Sequence, residues 1–172
     1  MSSDTQAELA RLFAEIAPRF GLSRAAGHCL AAIWRAAQAP SADDLVAGLG
    51  LSRSNVSVAL KELRLAGLVQ VARSPGSRRD FFTAEASPWA LLRALVAERH
   101  RREIAPLIDR IAALEAAAPE EPRLAALAEM AETAGDWMAR LTRSDAETLA
   151  EVMAADADRG TKKKKKKKTE RP

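Results

Sequence analysis

The sequence predicts a mainly α-helical chain that carries one small β-hairpin. Two observations predict this fold class. Apolar residues recur at steps of three and four along most of the chain, which is the spacing of amphipathic helices. Between residues 68 and 83 the apolar period falls to two, and a Ser-Pro-Gly-Ser segment interrupts it, as in a hairpin.

The composition limits the architecture. The 172 residues are enough for one domain with a hydrophobic core and for a second layer of helices. A single cysteine, Cys29, excludes an internal disulfide framework and agrees with a reducing compartment. No apolar run approaches the ~20 residues that span a bilayer, and the first residues, MSSDTQAELA, lack the pattern of a signal peptide. We therefore expect a soluble cytoplasmic protein.

Two helices are predicted before residue 41. Residues 4–20 place their large apolar side chains on one stripe, and Gly21 ends this helix. Ser23 is then the cap residue of a second helix, which continues to about Ala39. Pro40 ends it, because the residue before a proline disfavours helical backbone.

A short helix, a tight turn and a second helix are predicted next. Ser41 and Asp44 have the spacing of a capping box, which satisfies the free amides of a first turn. Gly48 and Gly50 allow the chain to turn tightly. Ser52 then caps a helix that extends to about residue 66.

The second helix of this pair has an apolar and a polar face. Its inward residues, by their spacing, are Val56, Leu60 and Leu63. The opposite face has short polar groups near its amino end and cations further along: Arg53, Ser54, Ser57, Val58, Lys61 and Arg64. Such a face fits a DNA major groove, because small side chains let the backbone approach base edges and cations contact phosphates.

A basic hairpin follows. Residues 68–73 and 79–83 alternate as strands, and residues 74–77 carry proline and glycine at the positions that favour a type II turn. The arginines at its tip are Arg73, Arg78 and Arg79. Within residues 51–80 six cations stand against two carboxylates, a local net charge of +4. Cations placed in this way fit beside a phosphate backbone or in a minor groove.

This order of elements, over residues 41–85, is the outline of a winged helix-turn-helix, and duplex DNA is its expected partner. One alternative stays open. Winged helices also bind proteins, and a basic hairpin is sometimes only a solvated surface, so the chain would then have no specific DNA target. We favour DNA because the capped helix, the glycine turn, the polar helix face and the basic hairpin occur together.

Helices are also predicted after the hairpin. The serine–proline pair at residues 87–88 is a helix start. This helix continues to about residue 118, and Pro106 within it should cause a kink or a break. A Pro-Glu-Glu-Pro segment at residues 119–122 stops it, a further helix follows, and Ser144 caps a last one.

The flanking helices have more apolar surface than one small core can cover. We therefore expect them to pair with the same helices of a second chain, which would set two winged helices on successive major grooves, about 34–36 Å apart. An intramolecular bundle is the alternative. The expected organisation is a dimerisation helix at residues 1–20, a winged helix-turn-helix DNA-binding domain at 21–86, a helical dimerisation region at 87–159 and a tail at 160–172.

The tail holds seven consecutive lysines and no core residues. Repulsion between the lysines should keep it disordered. Residues 162–172 carry eight cations and one carboxylate, so the rest of the chain has 19 cations against 22 anions, a net charge of −3. The tail either strengthens sequence-independent contact with DNA or is a dispensable extension.

A family resemblance accompanies these patterns. The run GLSRSNVSVALKELRLAGLVQVARSPGSRRDFFTAE at residues 50–85 resembles the MarR group of bacterial winged-helix regulators. Within the chain, GLSRAAGHCLAAIW at 21–34 and SRSNVS at 52–57 resemble its GbsR-like branch. The similarity covers about residues 21–89, and beyond them only the helical layout agrees. It implies a homodimeric repressor that binds a palindromic operator in the bacterial nucleoid and that a small ligand releases.

The resemblance also implies functional positions. It assigns Ser52, Arg53, Asn55 and Ser57 to the recognition helix, and Arg78 and Arg79 to the wing. The complete set of expected DNA-binding residues is Ser41, Ser52, Arg53, Ser54, Asn55, Ser57, Val58, Lys61, Arg64, Arg73, Ser77, Arg78 and Arg79. The resemblance identifies no ligand, although the best-known GbsR-like proteins are associated with choline and glycine betaine metabolism.

Three tryptophans stand out because aromatic residues are scarce and tyrosine is absent. Trp34, Trp89 and Trp137 are expected to be core anchors between the winged helix and the flanking helices. A more specific hypothesis is that Phe13, Trp34 and Trp89 line an effector pocket, because aromatic faces hold quaternary ammonium ligands well.

Other chemistry has little support in the sequence. His28 and His100 are the only histidines, and no cysteine pair or carboxylate cluster has metal-ligand spacing, so no metal or other cofactor is expected. His28 and Cys29 diverge by about 100° on a helix and make a poor catalytic pair. Cys29 is expected to be a core residue, with redox sensing as the alternative. Since hydrolase and nucleotide-binding motifs are missing, no enzymatic activity is expected.

Overall fold

Five of the described helices have a serine as their N-terminal capping residue. In the computed structural model, which describes residues 2–73 and 79–154, the hydroxyl of each serine accepts a backbone N–H from the first helical turn. The capping residues are Ser2, Ser23, Ser41, Ser52 and Ser87. They begin α1 (Ser3–Ile16), α2 (Arg24–Arg35), α3 (Ala42–Leu49), α4 (Arg53–Leu65) and α5 (Pro88–Arg99). All but the first are the caps that the sequence predicts.

The first helix is shorter than its apolar stripe suggests. α1 ends at Ile16, and the predicted remainder, Ala17–Phe20, is a 3-10 turn. Pro18 explains the change, because it has no N–H to donate and its ring crowds the carbonyl of the preceding turn. Gly21 closes the segment with a left-handed φ of 78°, a conformation that glycine adopts without strain.

α2 also ends before the expected residue 39. Ala36 is already extended, with ψ at 129°. The segment that follows runs beside the hairpin: the Phe82 N–H donates to the Pro40 carbonyl at 2.9 Å, and Ser41 forms a β-bridge with Phe81. Because these contacts need extended backbone, the helix stops before them.

The hairpin follows α4 directly. β1 (Val69–Arg73) pairs with β2 (Asp80–Ala84) in antiparallel register, with Arg73 opposite Asp80. Residues 74–78, which include the expected type II turn, lie outside the described residues.

The long helix after the hairpin is interrupted near Pro106, as expected. After α5, His100–Ile104 form a π-helical turn, and α6 occupies Ala105–Ala117. Pro106 has no N–H to donate to the carbonyl of Arg102, four residues earlier, and its ring crowds that oxygen. The helix therefore widens in the turn just before the proline.

Two further helical segments follow. α7 (Pro122–Arg143) packs against α6, and residues 146–154 are also helical. Asp145 caps this last segment in place of the expected Ser144. Its Oδ1 accepts the Thr148 N–H at 2.7 Å, and this hydrogen bond lowers the pKa of Asp145. Residues 155–172, with the lysine tail, lie outside the described residues. No helix within the described ranges is long and apolar enough to cross a bilayer.

The core of the molecule lies around α2 and α4. Its largest fully buried side chains are Leu63, Val56 and Cys29. α1 crosses α2 at Gly27, where an added β-carbon would lie only 2.5 Å from the Phe13 carbonyl oxygen. This packing holds α4 by one face and leaves its other face exposed.

Candidate nucleic-acid interface

The turn between α3 and α4 sets the direction of α4. Gly50 has a left-handed φ of 64°, and its N–H donates to the Val46 carbonyl at 3.1 Å, which closes α3. Leu51 and Ser52 then lead into α4, where the Ser52 hydroxyl accepts the Asn55 N–H at 3.2 Å. Two helices joined in this way form a helix-turn-helix.

α4 has one buried face and one exposed face, as the sequence predicts. The buried residues are Val56, Ala59, Leu60 and Leu63. Apart from Leu65 at its end, the exposed residues form one set, the reading face: Ser52, Arg53, Ser54, Asn55, Ser57, Val58, Lys61 and Arg64. Because this face begins with short hydrogen-bonding groups and ends with cations, it is suited to base edges and phosphates.

Arg53, at the start of the reading face, is held by an ion pair. Its Nη1 lies 2.9 Å from Asp43 Oδ1 on α3, and both side chains are largely exposed. Exposed ion pairs are weak because water screens them. A DNA phosphate would therefore compete effectively with Asp43 for this guanidinium.

Ser41 lies apart from the reading face, which contradicts its expected role as a DNA contact. It is only 3% exposed. Its Oγ–H and its N–H both donate to Asp44 Oδ2, at 2.7 and 2.9 Å, and these bonds lower the pKa of Asp44. The Ser41 side chain therefore stabilises the start of α3 and is unavailable to DNA.

Two expected wing cations lie within the described residues. Arg73 ends β1, and its Nε lies 3.6 Å from Asp80 Oδ1. Arg79 is exposed. After the hydrogen bonds from Ser41, the positive charge of Arg79 also helps to lower the pKa of Asp44 at the start of α3. The two remaining wing positions, Ser77 and Arg78, lie outside the described residues.

Two cations beside the reading face are missing from the sequence prediction. Arg101 and Arg102, in the π turn, share a groove with Val58 and Lys61. The buried carboxylate of Glu98 holds both of them, with Oε2 2.6 Å from Arg101 Nη2 and Oε1 3.7 Å from Arg102 Nη1. In the sequence, the spacing of three and four residues between Glu98 and the two arginines indicates these ion pairs. The sequence carries no sign that the π turn approaches α4.

A carboxylate ties α4 to the start of α2. Glu62 Oε1 accepts the Ser23 N–H at 2.9 Å, and Glu62 Oε2 accepts the Ser23 Oγ–H at 2.7 Å. The same Ser23 oxygen accepts the Ala26 N–H at 3.1 Å and so caps α2. Glu62 therefore fixes the carboxyl-terminal half of α4 against the core, a role that the sequence prediction did not include.

Two of the three expected effector-pocket residues are in contact. The ring centroids of Phe13 and Trp34 are 5.9 Å apart, and both side chains line a cavity of about 380 Å³ between α1, α2 and α5. The described residues that line this cavity are all apolar, and Trp89 is not among them. Trp89 and Trp137 are 36% and 56% exposed, so the prediction that these two are core anchors is wrong.

Cys29 lies in the core, as predicted. Its burial raises the pKa of the thiol to about 11, so the reactive thiolate is scarce at neutral pH. His28 and His100 are partly buried on separate segments. Over residues 2–73 and 79–154, no group of three or more His, Cys, Asp or Glu side chains is placed to hold a metal ion.

Residues 20–80 match the family model described as MarR family. Curated protein sequences give no match. The crystal structure of a transcriptional regulator is 20% identical, with a TM-score of 0.63 over 80% of this chain and 95% of that chain. A transcriptional regulator from Thermotoga maritima is 14% identical, with a TM-score of 0.41 over 81% of this chain and 92% of that chain.

The matched segment contains α2, α3, α4 and β1, and so includes the whole reading face. The first of the two structures shows that the fold is shared well beyond that segment. The helix pair and the hairpin are part of this shared fold. Residues 20–80 are therefore similar to the MarR family, and the helix pair with the two paired strands after it has the arrangement of a winged helix-turn-helix.

Proposed function

We propose that this protein regulates transcription by binding duplex DNA with sequence preference. The observation that carries the proposal is the reading face, where short polar groups and cations project from a helix that is buried on its other side. Arg73 and Arg79, on the hairpin, would contact the flanking phosphates. The similarity of residues 20–80 to the MarR family supports the same role.

The proposed active form is a homodimer. Large apolar side chains are exposed on α6 and α7, namely Leu107, Leu114, Leu127, Met130 and Trp137. Contiguous exposed apolar surface is unfavourable in water, and a second copy of the chain would cover it. A two-fold dimer would present two reading faces to successive major grooves of a palindromic operator.

The proposed mode of action is repression that a small molecule relieves, as in the GbsR-like branch. The cavity beside Phe13 and Trp34 supports the ligand step, because it lies where α1, α2 and α5 meet. An occupant there would favour one arrangement of these helices over another and so change the separation of the two reading faces. The proposed location is the nucleoid in the bacterial cytoplasm.

Selection of preferred duplexes from a random pool tests this proposal. The full chain is expected to enrich a palindrome whose half-sites are separated by about 10 base pairs. Light scattering at micromolar concentration is expected to give twice the mass of one chain. If no sequence is enriched, sequence-specific DNA binding is ruled out, and the mass of a single chain would rule out the dimer.

A second candidate function is docking of a protein partner on α4. Val58 and Leu65 are 65% and 69% exposed, which is unusual for apolar side chains on a surface that contacts only phosphates. Val58 can also pack against the methyl group of a thymine, so we favour DNA over a protein as the partner of α4. A competition experiment separates the two functions. If α4 recognises DNA sequence, an unlabelled duplex of the selected sequence displaces a bound labelled duplex more readily than an unlabelled random duplex does. A protein-docking module shows no such difference.

A further inference from the structure

A second cavity lies between α5, α7 and the helical residues 146–154. Its volume is about 390 Å³, which is within the range of small-molecule sites, roughly 300–1,000 Å³. Its walls are mostly apolar and include Trp137, Leu149 and Met153. Among the described residues that line it, Arg93 is the only charged one.

The guanidinium of Arg93 is incompletely hydrogen-bonded. Its Nη1 donates to the Thr142 carbonyl at 3.4 Å, a long hydrogen bond. Its Nε is buried, and nothing in the described part of the chain accepts its hydrogen. The Thr142 hydroxyl, which donates to the Ala139 carbonyl at 3.0 Å, does not accept this hydrogen either. A buried donor of this kind raises the free energy of the protein until an acceptor reaches it.

We propose that this cavity binds a small carboxylate that has an apolar or aromatic body. The planar edge of a guanidinium matches the two oxygens of a carboxylate, and the attraction is stronger in apolar surroundings than in water. The apolar walls beside Trp137 and Leu149 would hold the body of the ligand. A cation is disfavoured there by the charge of Arg93.

The two cavities differ in what they select. The described residues that line the cavity beside Phe13 and Trp34 are all apolar and offer a carboxylate no anchor. The Arg93 cavity offers one cation in a fixed place. The lining of the Arg93 cavity includes no residue of the reading face, so carboxylate binding can be measured without DNA. The proposal of carboxylate binding and the proposal of DNA binding can therefore fail independently.

Isothermal titration calorimetry of the full chain with sodium octanoate and with octanamide tests the proposal. The two probes have the same apolar body and differ in charge. Octanoate is expected to bind saturably and about ten-fold more tightly than octanamide, the difference that a charge-assisted hydrogen bond provides. The absence of saturable octanoate binding overturns the proposal. This holds also if binding is absent because a second copy of the chain covers the cavity. Equal affinity for the acid and the amide overturns the proposal too.

Variants locate the site. Arg93→Met keeps the apolar stem of the side chain and removes its charged end, so it should weaken octanoate binding about ten-fold and leave octanamide nearly unchanged. Arg24→Met, at an exposed position at the start of α2, is the matched control and should bind octanoate as the parent does. Undiminished octanoate binding by Arg93→Met overturns the proposal.

A second variant covers the case in which Arg93→Met does not fold. Met153→Trp narrows the cavity from a position that is about half exposed, so it does not disturb the core. It should weaken both octanoate and octanamide. Unchanged binding of both would place their site elsewhere and overturn the proposal.

Discussion

Arg53 Nη1 lies 2.9 Å from Asp43 Oδ1, so the first cation of the reading face is paired with a carboxylate of the preceding helix. The pair orients the guanidinium in the free protein. It also brings a negative charge close to the position where a phosphate would bind, and this charge repels DNA. Asp43 is therefore expected to lower the affinity for DNA while it holds Arg53 in place.

Replacing Asp43 with asparagine should tighten DNA binding. Asp43→Asn removes one anion next to the phosphate backbone, and we expect the affinity for a random-sequence duplex at low salt to rise about two- to five-fold. Fluorescence anisotropy measures the change. Asp109→Asn, at an exposed position of α6, is the charge-matched control and should leave the affinity unchanged. Weaker binding by Asp43→Asn would show that the carboxylate itself assists recognition.

The link between Ser23 and Glu62 should stabilise the fold. Ser23→Ala removes the cap of α2 together with a bond to α4, and we expect the free energy of unfolding to fall by about 1–2 kcal/mol. Urea unfolding of Ser23→Ala, Glu62→Ala and the double variant gives the coupling between the two residues. Strictly additive effects would contradict the direct bond at 2.7 Å.

Gly27 should be intolerant of any side chain. A β-carbon there would lie 2.5 Å from the Phe13 carbonyl oxygen and 2.6 Å from Ala14 Cα, and backbone atoms cannot move aside cheaply. We expect Gly27→Ala to lower the free energy of unfolding by about 1–3 kcal/mol. Gly48→Ala is the matched control, because its β-carbon would meet no atom within 4 Å, and it should be neutral or stabilising. A neutral Gly27→Ala would disprove the close crossing of α1 and α2.

Cys29 should be almost unreactive in the folded protein. With the pKa of its thiol raised to about 11 by burial, the thiolate fraction at pH 8 is only about one in a thousand. We expect a thiol reagent such as DTNB to react far more slowly with the native chain than with the chain in denaturant. Rapid modification of the native protein would instead support the redox-sensing alternative.

The predictable parts of the site depend on residues that are close in sequence. Ser52 caps α4 through Asn55, three residues away, and Gly50 closes α3 through Val46, four residues away. The burial of Val56 and Leu63 follows from helical spacing alone. For this reason the helix pair, its turn and its exposed face were predictable without any knowledge of the fold.

The unpredicted parts depend on contacts between distant segments. α2 stops early because Phe82 hydrogen-bonds to Pro40, which the helical period of α2 does not encode. Arg101 and Arg102 share a groove with Val58 because α5, which leads to them, packs against the core through Leu91 and Leu95. No local pattern carries such information.

The DNA-binding role of the reading face is tested most directly by two double variants that lose the same charge. Arg53→Ala/Lys61→Ala removes two cations from the reading face, and Arg19→Ala/Arg143→Ala removes two exposed cations outside it. The affinity of each for the selected duplex and for a random duplex is measured over a range of salt concentrations. Each phosphate contact that is lost lowers the slope of log K against log salt by about 0.9.

We expect the first variant to bind more weakly than the parent, to lose preference for the selected duplex and to show a slope reduced by up to about two units. The second variant should bind as the parent does. An Arg53→Ala/Lys61→Ala protein with the affinity, preference and salt slope of the parent would contradict DNA recognition by the exposed face of α4.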